Sequence, residues 1–249
     1  MNLFHIIFQI EKVDPEVGER YSFYSRRNLL KLGSNLVAAG IPTLVAGSLN
    51  KALAQAGAPS QAAVDAVNFA LTLEYLEDEF YRMGLAASGL VAAADQKVIA
   101  QISKHETAHV ALLKMALGAA AVAKPTFKYP DGLFNSYPTF LATARLLEDT
   151  GVAAYKGQAG VLINDKDILR TALQIHSVEA RHASEIRRII GMGMKSWVSD
   201  PTQTTFTQGG VNLKTLPNVT GFSDDNFREA FDEPLSKEVV LGAAKPFLG

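Results

Sequence analysis

The stretch Glu106-Thr107-Ala108-His109 is echoed further along the chain by Glu179-Ala180-Arg181-His182. In a helix, residues three apart project from one face, so each stretch offers a carboxylate and an imidazole side by side. A lone glutamate precedes each one, Glu74 by 32 residues and Glu148 by 31. Seven residues after each lone glutamate, two turns along the same face, stands a tyrosine, Tyr81 and Tyr155. A single Glu-x-x-His occurs by chance in many helices. The full pattern, repeated in register, marks an internal duplication.

Helical periodicity surrounds all four segments. Gln61 to Leu85 carries apolar residues at Val64, Val67, Leu71 and Tyr75, with Ser60 as N-cap and Gly84 and Ser88-Gly89 marking its end. The pattern predicts a second helix from about Asp95, its capping residue, to Val122, ahead of Pro125. A third starts after Ser136, with Pro138 in its first turn, and runs to about Gly160. The fourth begins near Asp165 or Asp167 and ends at about Ile190, before Gly191 and Gly193. Strand-like alternation is scarce, so the expected fold class is all-α. Short connections make helices 1 and 2, and helices 3 and 4, antiparallel pairs. The connection between helices 2 and 3 is longer and contains Pro125, Pro130 and Gly132. Fifteen extended residues reach about 50 Å, and a 26-residue helix is only about 39 Å long. That connection is therefore long enough to cross the bundle and let helices 2 and 3 lie parallel.

Glu74, Glu106, Glu148 and Glu179 fall on these helices among apolar neighbours such as Leu73, Leu76, Val110, Leu112, Leu146 and Leu147. Four buried, unpaired carboxylates would be prohibitively costly, whereas two divalent cations would compensate them. Together with His109 and His182, the four glutamates supply hard and borderline donors suited to iron or manganese. One glutamate from each of two helices plus Glu-x-x-His from the other two resembles the ferritin-like superfamily, across residues 60–192. The phrase Leu73-Glu74-Tyr75-Leu76-Glu77-Asp78-Glu79-Phe80-Tyr81 is similar to the first helix of exported ferritin-like domain proteins related to plant desiccation-related proteins. Ala230-Phe231-Asp232-Glu233-Pro234-Leu235, followed by a short helix, resembles the same group. The resemblance implies a ferritin-like four-helix bundle with a long crossover between helices 2 and 3. It also implies a di-iron or di-manganese centre held by the six residues. Ferroxidase, peroxidase, catalase-like and oxygenase activities all fall within that resemblance, and fold does not choose among them.

Other residues near the pattern read more blandly. Tyr81 and Tyr155 suit either the core or a hydrogen bond to a ligand carboxylate. Glu77, one turn after Glu74, reads as solvated helix surface, with an extra ligand or a carboxylate on the path of incoming iron as the alternative. Asp78 and Asp149 are candidate partners for the second nitrogen of a ligand histidine. His105 and His176 stand about 100° and 60° off the Glu-x-x-His faces and read as ordinary surface or core histidines. Arg181, Arg187 and Arg188 read as a solvated stripe or as salt-bridge partners.

The N-terminal segment differs from the rest. Ser25-Arg26-Arg27-Asn28-Leu29-Leu30-Lys31 matches a twin-arginine export signal, with Arg26 and Arg27 as the pair. An uncharged, moderately apolar stretch runs from Leu32 to Asn50, interrupted by Gly33, Gly40 and Pro42, and its longest apolar run falls short of the ~20 residues that span a bilayer. Ala52-Leu53-Ala54 and Ala54-Gln55-Ala56 offer cleavage sites. The expected organisation is a signal segment over 1–56, the bundle over 57–194 and a loop-rich C-terminal tail with a short helix over 195–249. Cleavage after Ala56 leaves 193 residues with 18 basic and 21 acidic side chains. The expected destination is the periplasm or the exterior through the twin-arginine machinery, or a membrane-tethered form if the segment is uncleaved.

Composition narrows the chemistry. The 249 residues include no cysteine, which excludes disulfide scaffolds, thiolate zinc sites, iron–sulfur clusters and a cysteine nucleophile. Any metal must be held by His, Asp and Glu. With 24 basic residues against 25 acidic ones there is no basic field, so nucleic acid is not the expected partner. A mature net charge of −3 and no evident fifth helix after residue 192 count against a mineral-storing cage. The favoured expectation is a di-metal protein doing redox chemistry with O2 or peroxide. The alternative is a non-enzymatic stress or desiccation-associated envelope protein whose metals are structural. The tail, with Phe222, Phe227, Phe231, Leu235 and Phe247 as apolar anchors, suits either covering a bundle end or contacts in a homo-oligomer.

Overall fold

The structure is a computed structural model that describes residues 59–191, 195–197, 207–208, 211–212, 221, 223–230, 232 and 234–249. The export segment around Arg26 and Arg27 lies outside the described residues, as do the side chains of Phe222, Phe227 and Phe231. Four long helices dominate: α1 (Gln61–Ala86), α2 (Gln96–Leu117), α3 (Tyr137–Gln158) and α4 (Lys166–Ile190). In the tail, two-residue strands β1 (Thr207–Gln208) and β2 (Val211–Asn212) pair antiparallel, and two short helices follow, α5 (Asp224–Ala230) and α6 (Lys237–Ala244). The fold is an all-α, ferritin-like bundle. Among the described residues, no helix is long and apolar enough to cross a membrane.

Helix starts follow the local chemistry. Ser60 Oγ accepts from the Ala63 amide at 3.1 Å, and Ser136 Oγ accepts from the Thr139 amide, with Pro138 in the first turn of α3. Asp95 precedes α2 but makes no capping bond; its carboxylate accepts from the Tyr137 hydroxyl at 2.9 Å instead. One expected end moves, and one expected end signal does not act as a stop. Gly84 does not stop α1, which continues to Ala86. A Cβ on Gly84 would stand 2.2 Å from the Phe140 ring, so this glycine is the notch into which Phe140 packs. Helix α2 ends at Leu117 rather than Val122, because Gly118 turns to φ +55°. The chain beyond is tied to α1: the Asn68 side-chain amide donates to Ala120 O, and its carbonyl accepts from Val122 N, each at 2.9 Å.

Side-chain contacts fix the topology. Tyr81, late in α1, reaches Glu148 in the middle of α3, while Tyr155, late in α3, reaches Glu74 in the middle of α1. The two helices therefore run antiparallel. Since α2 returns along α1, α2 and α3 are parallel. The crossover that permits this runs the length of α1, from Asn68 beside Ala120 to Tyr129, whose hydroxyl donates to Leu76 O, and on to Tyr137 beside Asp95. Phe80 stacks on Phe140 at 4.7 Å, and Phe134, Tyr129 and Phe247 extend that aromatic cluster. The tail crosses α3 where Leu235 N donates to Ala153 O and Lys156 Nζ donates to Asp232 O.

Candidate metal centre

Glu74, Glu106, Glu148 and Glu179 sit near the middle of the four helices and have no exposed surface. His109 and His182, one turn beyond the α2 and α4 glutamates, are buried beside them. The structure brings all six together as two sets of converging donor atoms, Glu74, Glu106, His109 and Glu179 in one, Glu106, Glu148, Glu179 and His182 in the other. Within each set the donor atoms lie within 4.8 Å of one another. Glu106 and Glu179 belong to both. Each set then has a private carboxylate and imidazole, supplied by the two halves of the repeat, and the shared carboxylates lie where they can bridge.

The fit to cations follows from what these atoms do with one another. His109 Nδ1 stands 3.1 Å from oxygens of Glu74, Glu106 and Glu179 at once. One ring nitrogen carries at most one proton, so it cannot satisfy three carboxylates. His182 Nδ1 likewise faces Glu106 at 2.8 Å and Glu148 at 3.2 Å. Despite these short distances, both Glu179 oxygens and Glu106 Oε1 accept no aligned hydrogen bond in the bundle interior. Buried carboxylate oxygens without donors are costly, and a central cation satisfies them where a proton does not. A pair of divalent ions fits the residues present: four carboxylates offset four positive charges, and two neutral imidazoles complete the donors.

Titration behaviour expresses the same crowding. Burial and the charges of neighbouring glutamates push Glu179 well above the usual carboxylate range. Burial also raises Glu106, although bonds from both histidines pull against it. Burial pushes Glu74 up too, but the His109 charge and bonds from His109 and Tyr155 outweigh it and hold that carboxyl below the usual range. For the histidines, burial disfavours the charged ring, yet the surrounding carboxylates win; His182 is pushed up to about 11, and His109 is raised further.

Around the six, the two tyrosines make reciprocal bonds across the bundle. Tyr81 Oη donates to Glu148 Oε1 at 2.5 Å, and Tyr155 Oη donates to Glu74 Oε1 at 2.6 Å. Burial beside those carboxylates raises both phenols well above their ordinary range, which keeps them proton donors. Three expectations need correction. Glu77 is not solvated; it is buried against the cluster, although outside both sets of donors. Asp78 and Asp149 do not orient ligand histidines: Asp78 accepts from Thr107 Oγ1 at 2.7 Å and from Arg82, and Asp149 pairs with buried Arg187 at 2.6 Å. Arg187 is thus a buried salt-bridge partner, one of its two expected roles, while exposed Arg188 pairs with Glu185 and Arg181 is exposed. His105 is the outer partner of His182, with Nδ1 of the former 2.9 Å from Nε2 of the latter and the rings stacked 5.1 Å apart. Its own Nε2 meets the exposed Gln101 side chain at 2.8 Å. The 100° offset that pointed His105 away from its own helix's donor face points it at α4, which a single-helix projection cannot show. His176 stays half-buried and away from the centre.

Among curated proteins, none matches the chain. The sequence profile of the ferritin-like domain matches residues 62–192, which span all four long helices and all six converging donors. On the fold, the site and that match together, the chain belongs to the ferritin-like domain family.

Proposed function

We propose that this protein is an exported di-iron or di-manganese carboxylate protein that performs redox chemistry with O2 or peroxide. The observation that carries the reading is the sharing of Glu106 and Glu179 between two otherwise separate donor sets in the buried middle of the bundle. Glu74 and His109 would hold one ion, Glu148 and His182 the other, and the shared glutamates both. When bound, two redox-active ions close together supply two electrons to O2 or peroxide, at the expense of Fe(II) or an organic reductant. The chain's own contribution is to fix and dry the site. Tyr81 and Tyr155 pin the private carboxylates, His105 orients the His182 ring, and the apolar walls of α1 and α3 exclude bulk water.

Export through the twin-arginine route belongs to the same proposal. It rests on Ser25-Arg26-Arg27-Asn28-Leu29-Leu30-Lys31 and the alanine-rich cleavage sites that end at Ala56, and it places the protein in the periplasm or outside the cell. That route carries folded proteins, which suits a centre assembled before crossing. Changing Arg26-Arg27 to Lys-Lys is expected to trap the protein inside the cell, and unimpeded export would refute the signal.

Elemental analysis of the folded, exported protein, followed by Fe(II) addition with O2 and H2O2 electrodes, tests the chemistry. About two iron or manganese ions per chain and consumption of an oxidant are expected. Two retained ions without turnover would instead favour the structural, stress-associated role. Glu106→Ala and Glu179→Ala should each abolish binding of the pair, and unchanged stoichiometry would refute the site.

A further inference from the structure

The internal repeat sets up a comparison residue by residue. Glu74 corresponds to Glu148 and Tyr81 to Tyr155, and the same offset pairs Glu77 with Gly151. Here the two halves part. One half places a buried carboxylate beside the centre, 3% exposed, and the other places a residue with no side chain. A Cβ on Gly151 would stand 3.4 Å from Glu77 Oε1 and 3.2 Å from Glu179 Oε2. The glycine therefore leaves the space into which both carboxylates reach.

Nothing in the bundle bonds the Glu77 carboxyl group. Among the described residues, no donor or cation bonds it, and the group that shares its gap at Gly151 is another carboxylate, Glu179. Its outer side meets a cavity of only about 10 Å³, walled by Leu76, Leu147 and Thr150 and covered by Ala243 and Ala244 at the end of α6. A leucine of similar volume would fill this position without the cost of burying polar atoms that bond nothing. Something that enters the centre must repay that cost.

We propose that Glu77 is a seventh metal-ligating residue, joining the pair beside Glu179 through the space Gly151 leaves and giving the two ions different coordination. The inference rests on the di-metal reading above and adds an asymmetry that the six-residue repeat lacks. Four carboxylates balance two divalent ions. A fifth favours a pair carrying one more positive charge, so one ion binds more tightly and the trivalent state of that ion is stabilised.

The test is a competition titration of the chelator-stripped full chain with Mn(II), and with Co(II) for its ligand-field spectrum. Wild type should bind two ions in two resolved steps. Glu77→Gln keeps the volume and removes the charge; it should still bind two ions, with one step weakened tenfold or more and the other within about twofold. The Co(II) spectrum of the weakened ion should change while the other stays as in wild type. In chelator the same variant should melt higher than wild type, because it no longer buries an unpaired acid; a merely structural role would lower the melting temperature and leave both steps alone. Gly151→Ala, which crowds both Glu77 and the shared Glu179, should weaken the same step and lower the other as well. Two steps equal to wild type in Glu77→Gln, or both steps weakened equally in it, would overturn the assignment of Glu77 while leaving the six-residue centre intact. A wild-type protein that binds no pair of ions would instead refute the di-metal reading, and this inference with it.

Discussion

Tyr155 on α3 donates to Glu74 on α1 at 2.6 Å, so a residue from one half of the repeat positions the private ligand of the other half. Tyr81 returns the contact to Glu148 at 2.5 Å. The centre is thus cross-braced between α1 and α3, and each phenol fixes which carboxylate oxygen is left to face the donor set. Tyr155→Phe should weaken the ion held by Glu74 and His109 by about 10–100-fold, the usual cost of losing a partner of a metal ligand. Tyr81→Phe should do the same to the ion held by Glu148 and His182. A chelator competition that resolves the two steps checks this. Equal loss at both steps in either variant would show that the braces act on the fold rather than on individual ligands.

His105 makes a prediction of the same kind with a different signature. Its bond to His182 Nε2 fixes the ring so that Nδ1 faces the carboxylates. His105→Ala should weaken the ion on the His182 side about tenfold and leave the His109 side unchanged. His105→Gln, which can restore a donor or acceptor near that position, should recover part of the loss. No recovery, or an effect on the His109 side, would count against an orienting role.

The tail's seat on α3 is narrow enough to test with one atom. A Cβ on Gly157 would fall 1.9 Å from Leu235 O, at the place where the tail's backbone bonds Ala153. Both partners are backbone, so neither can swing aside. Gly157→Ala should lift the Leu235 segment off α3 and cost about 1–3 kcal/mol, as forced repacking of a close contact does. Faster proteolysis between Gly221 and Leu235, with the helical spectrum of the bundle kept, is the expected readout. An unchanged cleavage pattern would mean the tail can seat elsewhere.

Much of this was open to reading in the sequence because it depends on one helix at a time. Ser60 and Ser136 act through bonds three residues away, and the duplicated Glu, Tyr and Glu-x-x-His lie at spacings that any α-helix converts into a face. Pairing information was not so accessible. Gly84 looked like a stop signal because glycine is a poor helix former, yet a neighbouring helix needed its bare backbone for Phe140. Glu77 looked solvated because a glutamate normally is; its carboxyl reaches the gap at Gly151, which lies on another helix. The contact of His105 with His182 and the identity of Arg187's partner were hidden for the same reason, since each is defined by the helix opposite.

The protonation of the cluster predicts how stability varies with pH. Burial and like charge raise Glu77, Glu106 and Glu179, while surrounding carboxylates raise His109, and raise His182 to about 11. A raised carboxyl stabilises the fold fully below its unfolded value of about 4.5, and that contribution fades as pH rises toward the folded value. A raised histidine stabilises fully below about 6.5, and for His182 the contribution is lost as pH climbs through about 11. The signs agree, so in chelator the melting temperature should fall as pH rises from 5 to 9. Each group that takes up a proton on folding contributes up to about 1.4 kcal/mol per pH unit. Glu74, held low, has the opposite sign, but its contribution is complete above about pH 4.5 and stays flat across this window. Divalent ions compete with the same protons, so the rise in melting temperature produced by Mn(II) should grow over the range in which the chelated protein weakens. Melting curves with chelator and with Mn(II) at each pH measure both slopes. A chelated protein that becomes more stable toward pH 9 would show that the glutamates tolerate their charges without cations, removing the energetic case for a metal pair.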